Sequence, residues 1–222
     1  CPSEVQCEGG CLESILSERP VAIRDIQRAV AEAARRRGKA ALKLGEPTGK
    51  KVAVVGAGPA GLACAVRLIE LGHEVHLYDA APVPGGVPRD TIPAGRFPAQ
   101  IASAEADAIL KPASDAGRLK TFYGSGLSPE RTLGHLLKGY DAVFVGIGLG
   151  RGTGLPGATA RPAEVIDGLT FLRRAKAGKL TVPKSVAVLG AGNTALDAAC
   201  TAKRLGAEDV YVVYRRSFGE MP

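Results

Sequence analysis

The 222 residues contain no tryptophan, a single methionine and three histidines. No apolar run approaches the roughly 18 residues that a membrane span needs, so no membrane partner is expected. No charged opening followed by an apolar core marks a signal peptide, and the expected location is the cytoplasm. Aromatic residues make up 5% of the chain, none interleaves with the basic ones, and no nucleic-acid fold signature is present. The formal charge of +7 therefore reads as solvated surface rather than a nucleic-acid footprint. Its densest run, Arg35, Arg36, Arg37 and Lys39, closes a predicted helix, where cations are favoured anyway. His73, His76 and His135 stand apart and read as surface or strand-end residues. The five cysteines are odd in number and hold no CxxC pair, which excludes both a compact disulfide framework and a redox-active dithiol. Cys64 and Cys200 read as packing residues. With 45% hydrophobic and 23% charged residues, the chain is long enough and apolar enough to bury a proper core.

What is present is organised around Lys51 to Asp79, KVAVVGAGPAGLACAVRLIELGHEVHLYD. Val52 to Val55 form an apolar run, as a strand buried on both faces of a parallel sheet should. Gly56, Gly58 and Gly61 supply GxGxxG: one glycine for the turn, one for the approach of a pyrophosphate, one for close helix–strand packing. Pro59 and Ala60 open a helix whose Leu62, Val66, Ile69 and Leu71 provide a buried side, and Gly72 stops it. The free N–H groups at its start make an anion site. Asp79 ends the next strand where a carboxylate can accept from ribose hydroxyls.

A second copy follows at Val186 to Arg216, VAVLGAGNTALDAACTAKRLGAEDVYVVYRR. Gly190, Ala191, Gly192, Asn193 and Thr194 repeat the turn, and Ala195 replaces the third glycine, an accepted variant. The copies differ at the ribose end, where Tyr214 stands in place of Asp79 and Arg215 and Arg216 follow. A carboxylate repels a 2′-phosphate, whereas guanidinium groups engage it, so the second site is expected to take NADPH. An acidic site followed by a basic one suits FAD and then NADPH, with hydride passing between them and no side chain needed as nucleophile.

Upstream, CPSEVQCEGGC places Cys1, Cys7 and Cys11 in a short polar segment. Three thiolates can hold an iron–sulfur cluster with a fourth ligand from elsewhere, or zinc, or be free thiols. Residues 20–37 pattern as an amphipathic helix, and residues 38–50 as a linker. Residues 80–100 are too rich in proline and glycine for a regular element, and Gly85 and Gly86 let the backbone approach a flat cofactor. Helices are expected over 99–111, 129–137 and 163–177, with strands at 120–123 and 141–147, the latter buried. The expected fold is α/β, with two Rossmann-like dinucleotide-binding units, FAD then NADPH, after a short helical iron–sulfur segment. The boundaries fall at 1–49, 50–155 and 156–222. A start at Cys1 and a stop just after a strand read as a chain truncated at both ends.

The order CPxExxCxxxC, amphipathic helix, VGAGPAG, PGG, IP, RxP, GIG, GAGNTA, YRR and MP resembles the electron-input half of dihydropyrimidine dehydrogenase and the glutamate synthase small-subunit family. The resemblance covers essentially the whole chain. It implies electron flow from NAD(P)H through FAD to [4Fe–4S] clusters and on to a catalytic partner subunit or domain. KGYDAVFVGIGL and the cysteine spacing are more similar to the dihydropyrimidine dehydrogenase branch. There the resemblance makes Gln27 the fourth cluster ligand beside Cys1, Cys7 and Cys11. It also implies that Arg96 contacts FAD and that Gly86 lies near the flavin. Pro88, Thr91 and Gly95 depart from the family's usual Leu, Gly and Phe. A glutamate synthase small subunit and a non-catalytic nucleotide-binding module are the alternative readings.

Overall fold

The computed structural model describes residues 6–38, 42–150, 152 and 165–221. It divides into two compact units, one spanning Ala41–Thr181 and the other combining Cys1–Ala40 with Val182–Pro222. The boundary expected near residue 155 lies outside the described residues.

The larger unit is built on a parallel sheet of β1 (Lys51–Val55), β2 (Glu74–Asp79), β3 (Leu119–Tyr123) and β4 (Ala142–Val145), in the order β3-β2-β1-β4. The chain runs outward from β1 to β3 and then returns to pair β4 with the other side of β1. The order therefore reverses between β1 and β4, and ligands bind beyond the carboxyl ends of strands at such a reversal. One face of the sheet packs Val54, Val75, Leu77 and Leu119 against Ala65 and Ile69 of α3 (Pro59–Glu70) and Leu110 and Ala113 of α5 (Ala99–Asp115). On the other face Ala53, Val55 and Tyr78 meet Leu136 of α6 (Leu133–Gly139). Ile69 is fully buried, and truncating it to alanine is expected to cost about 2–5 kcal/mol.

The face α3 turns to the sheet is Gly61, Ala65 and Ile69; Leu62 and Val66 are half-buried and Leu71 is exposed. That face begins with small residues because the helix start lies directly on the glycine turn: a Cβ on Gly61 would overlap Gly56 O. β4, expected to be buried, leaves Phe144 36% and Val145 44% exposed, because among the described residues it is an edge strand of the sheet, with β1 as its one neighbour.

Between β2 and α5 the expected irregular stretch contains a short helix, α4 (Gly86–Asp90). Gly85 and Gly86 take φ of +121° and +57°, turning the chain into this helix, and Pro88 falls in its first turn, where a missing N–H is tolerated. α5 continues past residue 111 to Asp115 despite Pro112 within it. α6 starts at Leu133 rather than 129, because the Thr132 side chain caps His135 N–H while Ser128 and Arg131 exchange backbone bonds of 3.1 Å. α7 (Gly168–Lys176) starts after Asp167, whose carboxylate accepts from the N–H groups of Leu169 and Thr170.

The other unit contains α1 (Glu13–Ser17), α2 (Ile23–Arg36) and a parallel pair, β5 (Ser185–Leu189) and β6 (Asp209–Val213), joined by α8 (Asn193–Arg204). α1 was not evident from the sequence. α2 is amphipathic as expected, yet Ile26 is 53% and Val30 64% exposed. No helix among the described residues is long and apolar enough to cross a membrane.

Candidate functional site

The two glycine turns share one geometry. Gly56 has φ +109° and Gly190 φ +113°, values open to glycine and strained for other residues. Gly56 N–H donates to Tyr78 O at 2.7 Å, and Gly190 N–H donates to Val213 O at 2.8 Å. These equivalent bonds set Asp79 of the first copy opposite Tyr214 of the second, the correspondence inferred from the repeat. Gly58 and Gly192 then cap their helices with near-identical backbones, φ/ψ of −78°/−176° and −73°/169°.

Thr132 and Asp167 cap α6 and α7, whereas no side chain caps α3 or α8, nor α1, α2, α4 or α5. The first-turn N–H groups, those of Ala60 and Gly61 in one copy and of Asn193 and Thr194 in the other, thus face an end with no side-chain acceptor, where an anion fits. The second glycines add a further sign. A Cβ on Gly58 would meet nothing nearer than Gly86 Cα at 3.8 Å, and one on Gly192 would meet nothing within 4 Å. Neither protein packing nor backbone angle requires glycine there, and open space at the second glycine is what close approach of a pyrophosphate demands. Pro59 opens α3, and Ala191 is buried beneath the second turn. These residues fit a dinucleotide at each turn.

Asp79 sits at the end of β2 and accepts from Ala57 N–H at 2.5 Å and Ala81 N–H at 2.6 Å. It therefore ties β2 to the first turn, with lone pairs remaining for a ribose hydroxyl. Gly86 lies over the same turn: a Cβ there would come within 2.8 Å of Gly58 Cα. Arg96 is exposed on the loop after α4. In the second copy Arg215 and Arg216 are exposed immediately beyond β6, Arg216 standing 4.0 Å from Glu220. Because β5 and β6 are parallel with Leu189 opposite Val213, both arginines lie at the same edge as Gly190 and Gly192.

Cys7 is an exposed and Cys11 a half-buried free thiol; Cys1 lies outside the described residues. Glu8, between them, accepts from Arg24 N–H at 3.2 Å, tying the cysteine turn to the first turn of α2. Gln27 is exposed one helical turn further on. Among the described residues no three His, Cys, Asp or Glu side chains gather into a metal site.

The sequence reading missed a polar chain behind the first turn. His76 is neither surface nor strand-end: it is 8% exposed in mid-strand β2. Its Nε2 pairs with Glu74 at 2.9 Å, its Nδ1 with Tyr140 Oη at 2.7 Å, and Tyr140 Oη with Tyr78 Oη at 2.6 Å. Tyr78 stacks on Phe122 at 4.6 Å, and the Arg131 guanidinium lies 5.5 Å over its ring. Burial, then the bond to Tyr78, pushes the Tyr140 phenol upward. The period-two alternation of β2 places residues 76 and 78 on one face, the signal available in the sequence. Burial also raises the Cys64 thiol, consistent with packing, whereas Cys200 is exposed rather than packed.

A parallel sheet of order β3-β2-β1-β4 with a glycine turn at its point of reversal, and a second turn of the same build, define an α/β protein of the paired dinucleotide-binding class. The family model for pyridine nucleotide-disulphide oxidoreductases matches residues 50–219, and the chain belongs to that family. It is similar to the NAD-dependent dihydropyrimidine dehydrogenase subunit PreT of Salmonella typhimurium, 34% identical over all of this chain and 52% of the relative. It is also similar to the NADP(+)-dependent formate dehydrogenase subunit beta of Moorella thermoacetica, 36% identical over 97% of this chain and 33% of the relative. The chain thus spans about half, or less, of the length of these curated relatives. Among solved structures, Mycobacterium tuberculosis FprA in complex with NADPH aligns with a TM-score of 0.59. It covers 76% of this chain and 43% of that one at 22% identity, a likeness of fold.

Proposed function

We propose that this chain is the electron-input portion of an NAD(P)H-dependent flavin oxidoreductase. The observation that carries the reading is the pair of glycine turns, alike in backbone angles and hydrogen bonds, whose following strands end differently, in Asp79 in one and before Arg215 and Arg216 in the other. FAD at the first turn would be held by the α3 N-terminus, by Asp79, and, by the resemblance, by Gly86 and Arg96. NADPH at the second turn would be held by the α8 N-terminus with Asn193 and Thr194, and by Arg215 and Arg216 at its 2′-phosphate. The bound cofactors supply the hydride chemistry, and the protein residues bind, orient and neutralise charge.

Cys1, Cys7, Cys11 and Gln27 would hold a [4Fe–4S] cluster that passes electrons to a partner active site. The relatives' names support such a partner, since both are subunits of larger enzymes, one a dihydropyrimidine dehydrogenase and the other a formate dehydrogenase. Those names divide between NAD and NADP, so the preference for NADPH rests on Arg215 and Arg216 alone. The test is an anaerobic visible spectrum of the full-length protein, titrated with NADPH and then NADH. Flavin bands with a broad iron–sulfur shoulder, bleached at lower NADPH than NADH, are expected. Preferential bleaching by NADH refutes the NADPH assignment, and a protein without flavin absorption refutes the function.

A further inference from the structure

We propose that Lys176 is a positioning residue for the loop that carries Arg96, closing the base of Ile92–Phe97 so that the loop keeps its place beside the first glycine turn. The ammonium group donates to Ile92 O at 2.6 Å and to Phe97 O at 2.9 Å. The backbone between them is already turned on itself, with Pro93 O accepting from Arg96 N–H at 2.9 Å and Phe97 N–H at 3.0 Å. Within that turn Pro93, Ala94 and Gly95 carry no side-chain donor, so the two carbonyls at its base draw their donors from elsewhere.

Lys176 is the last residue of α7, a helix anchored by buried Phe171 and Leu172 and capped at its start by Asp167. Its neighbours in the last turn, Arg173 and Arg174, are exposed, as cations at a helix end usually are. Lys176 instead turns inward and is half-buried, and burial holds its ammonium below the usual lysine range. Asp90 counters that effect and Arg89 adds to it. A charge placed away from water on two carbonyls needs both of them.

The loop so closed is joined to the first site at both ends. α4 runs into it from Gly86, which packs over Gly58. Phe97, at its far end, lines a groove of about 430 Å³ together with Pro59 and Gly85. A shift of the loop therefore moves Arg96 relative to the glycine turn. This inference rests on reading the first turn as the FAD site.

The test uses the full chain with two readouts. Limited trypsin digestion without ligand, mapped by mass spectrometry, reports opening of the loop as cleavage after Arg96. Flavin fluorescence reports FAD affinity. Lys176→Met is expected to raise cleavage after Arg96 about tenfold and to weaken FAD about tenfold, with native circular dichroism. Lys176→Arg, which keeps charge and donors, is expected to restore both. If Lys176→Met does not fold, Lys176→Gln replaces it with the same expected ratios. Unchanged cleavage overturns the proposal, and so does faster cleavage with unaltered FAD affinity. Wild-type chain that binds no FAD refutes the reading of the first site, while the cleavage ratio still decides whether Lys176 holds the loop.

Discussion

Replacing Gly58 with alanine separates folding from binding, because the three glycines of the first turn are glycine for different reasons. At Gly56 a side chain meets φ +109° and overlaps Gly146 O. The backbone strain alone costs about 1–3 kcal/mol, and relieving the overlap adds to it, a large share of a total stability of about 5–15 kcal/mol. Gly61→Ala drives a Cβ into Gly56 O, with the same consequence. At Gly58 neither penalty applies: φ is −78° and the nearest atom to a new Cβ is 3.8 Å away. Loss of unfolded-chain freedom would stabilise the variant by about 0.4–1 kcal/mol, while alanine is a poorer N-cap than glycine by a comparable amount. The two nearly cancel, and the thermal midpoint of Gly58→Ala is expected to stay within about 3 °C of wild type. The added methyl would occupy the space through which a pyrophosphate reaches the N–H groups, so FAD affinity is expected to fall at least about tenfold. Fluorescence titration and calorimetry on the same preparations measure both. Wild-type FAD affinity in Gly58→Ala would refute the placement of phosphate at this turn, and a collapsed midpoint would refute the account of why glycine stands there.

Three further outcomes are expected. Arg215→Ala with Arg216→Ala raises the KM for NADPH by about tenfold or more and leaves that for NADH within about twofold, measured by steady-state diaphorase assay. Tyr140→Phe deprives His76 and Tyr78 of their shared partner and lowers stability by about 1–3 kcal/mol, read as a shift in the urea midpoint without a change in FAD affinity. Asp167→Ala removes the cap of α7 and costs about 1 kcal/mol at pH 7. Burial raises the Asp167 carboxyl, but bonds from the Thr170 side chain and from the N–H groups of Thr170, Gly152 and Leu169 outweigh it and hold the group below the usual range. Its stabilisation is thus present above the unfolded pKa of about 3.9 and is lost as pH falls through the lower folded value, so midpoints of variant and wild type converge in acid.

The parts of the site that were legible in the sequence are those where backbone geometry dictates residue type. Gly56 and Gly190 need positive φ, and Gly61 needs the absence of a Cβ. The repeat also aligned Tyr214 with Asp79 before the bonds of Gly56 to Tyr78 and Gly190 to Val213 set that register. Helix boundaries were legible only where a cap or stop is local. Thr132 and Asp167 moved the starts of α6 and α7, and α4 emerged inside a stretch whose proline and glycine content read as irregular.

By itself the sequence determined the α/β class, the two glycine turns and the opposite charge at or just beyond the end of the strand that follows each turn's helix, because turns, caps and strand patterning depend on near neighbours. Only the tertiary structure decided which of these local groups meet others far along the chain. His76 became a buried member of a chain ending at Tyr78 because Tyr140, 64 residues away, arrives over β2. Lys176 found Ile92 and Phe97 more than 75 residues upstream. β4 became an exposed edge because strand order, not composition, decides which strand has one neighbour. Contacts at such separations depend on where packed helices carry their side chains, and no spacing within a short window encodes that.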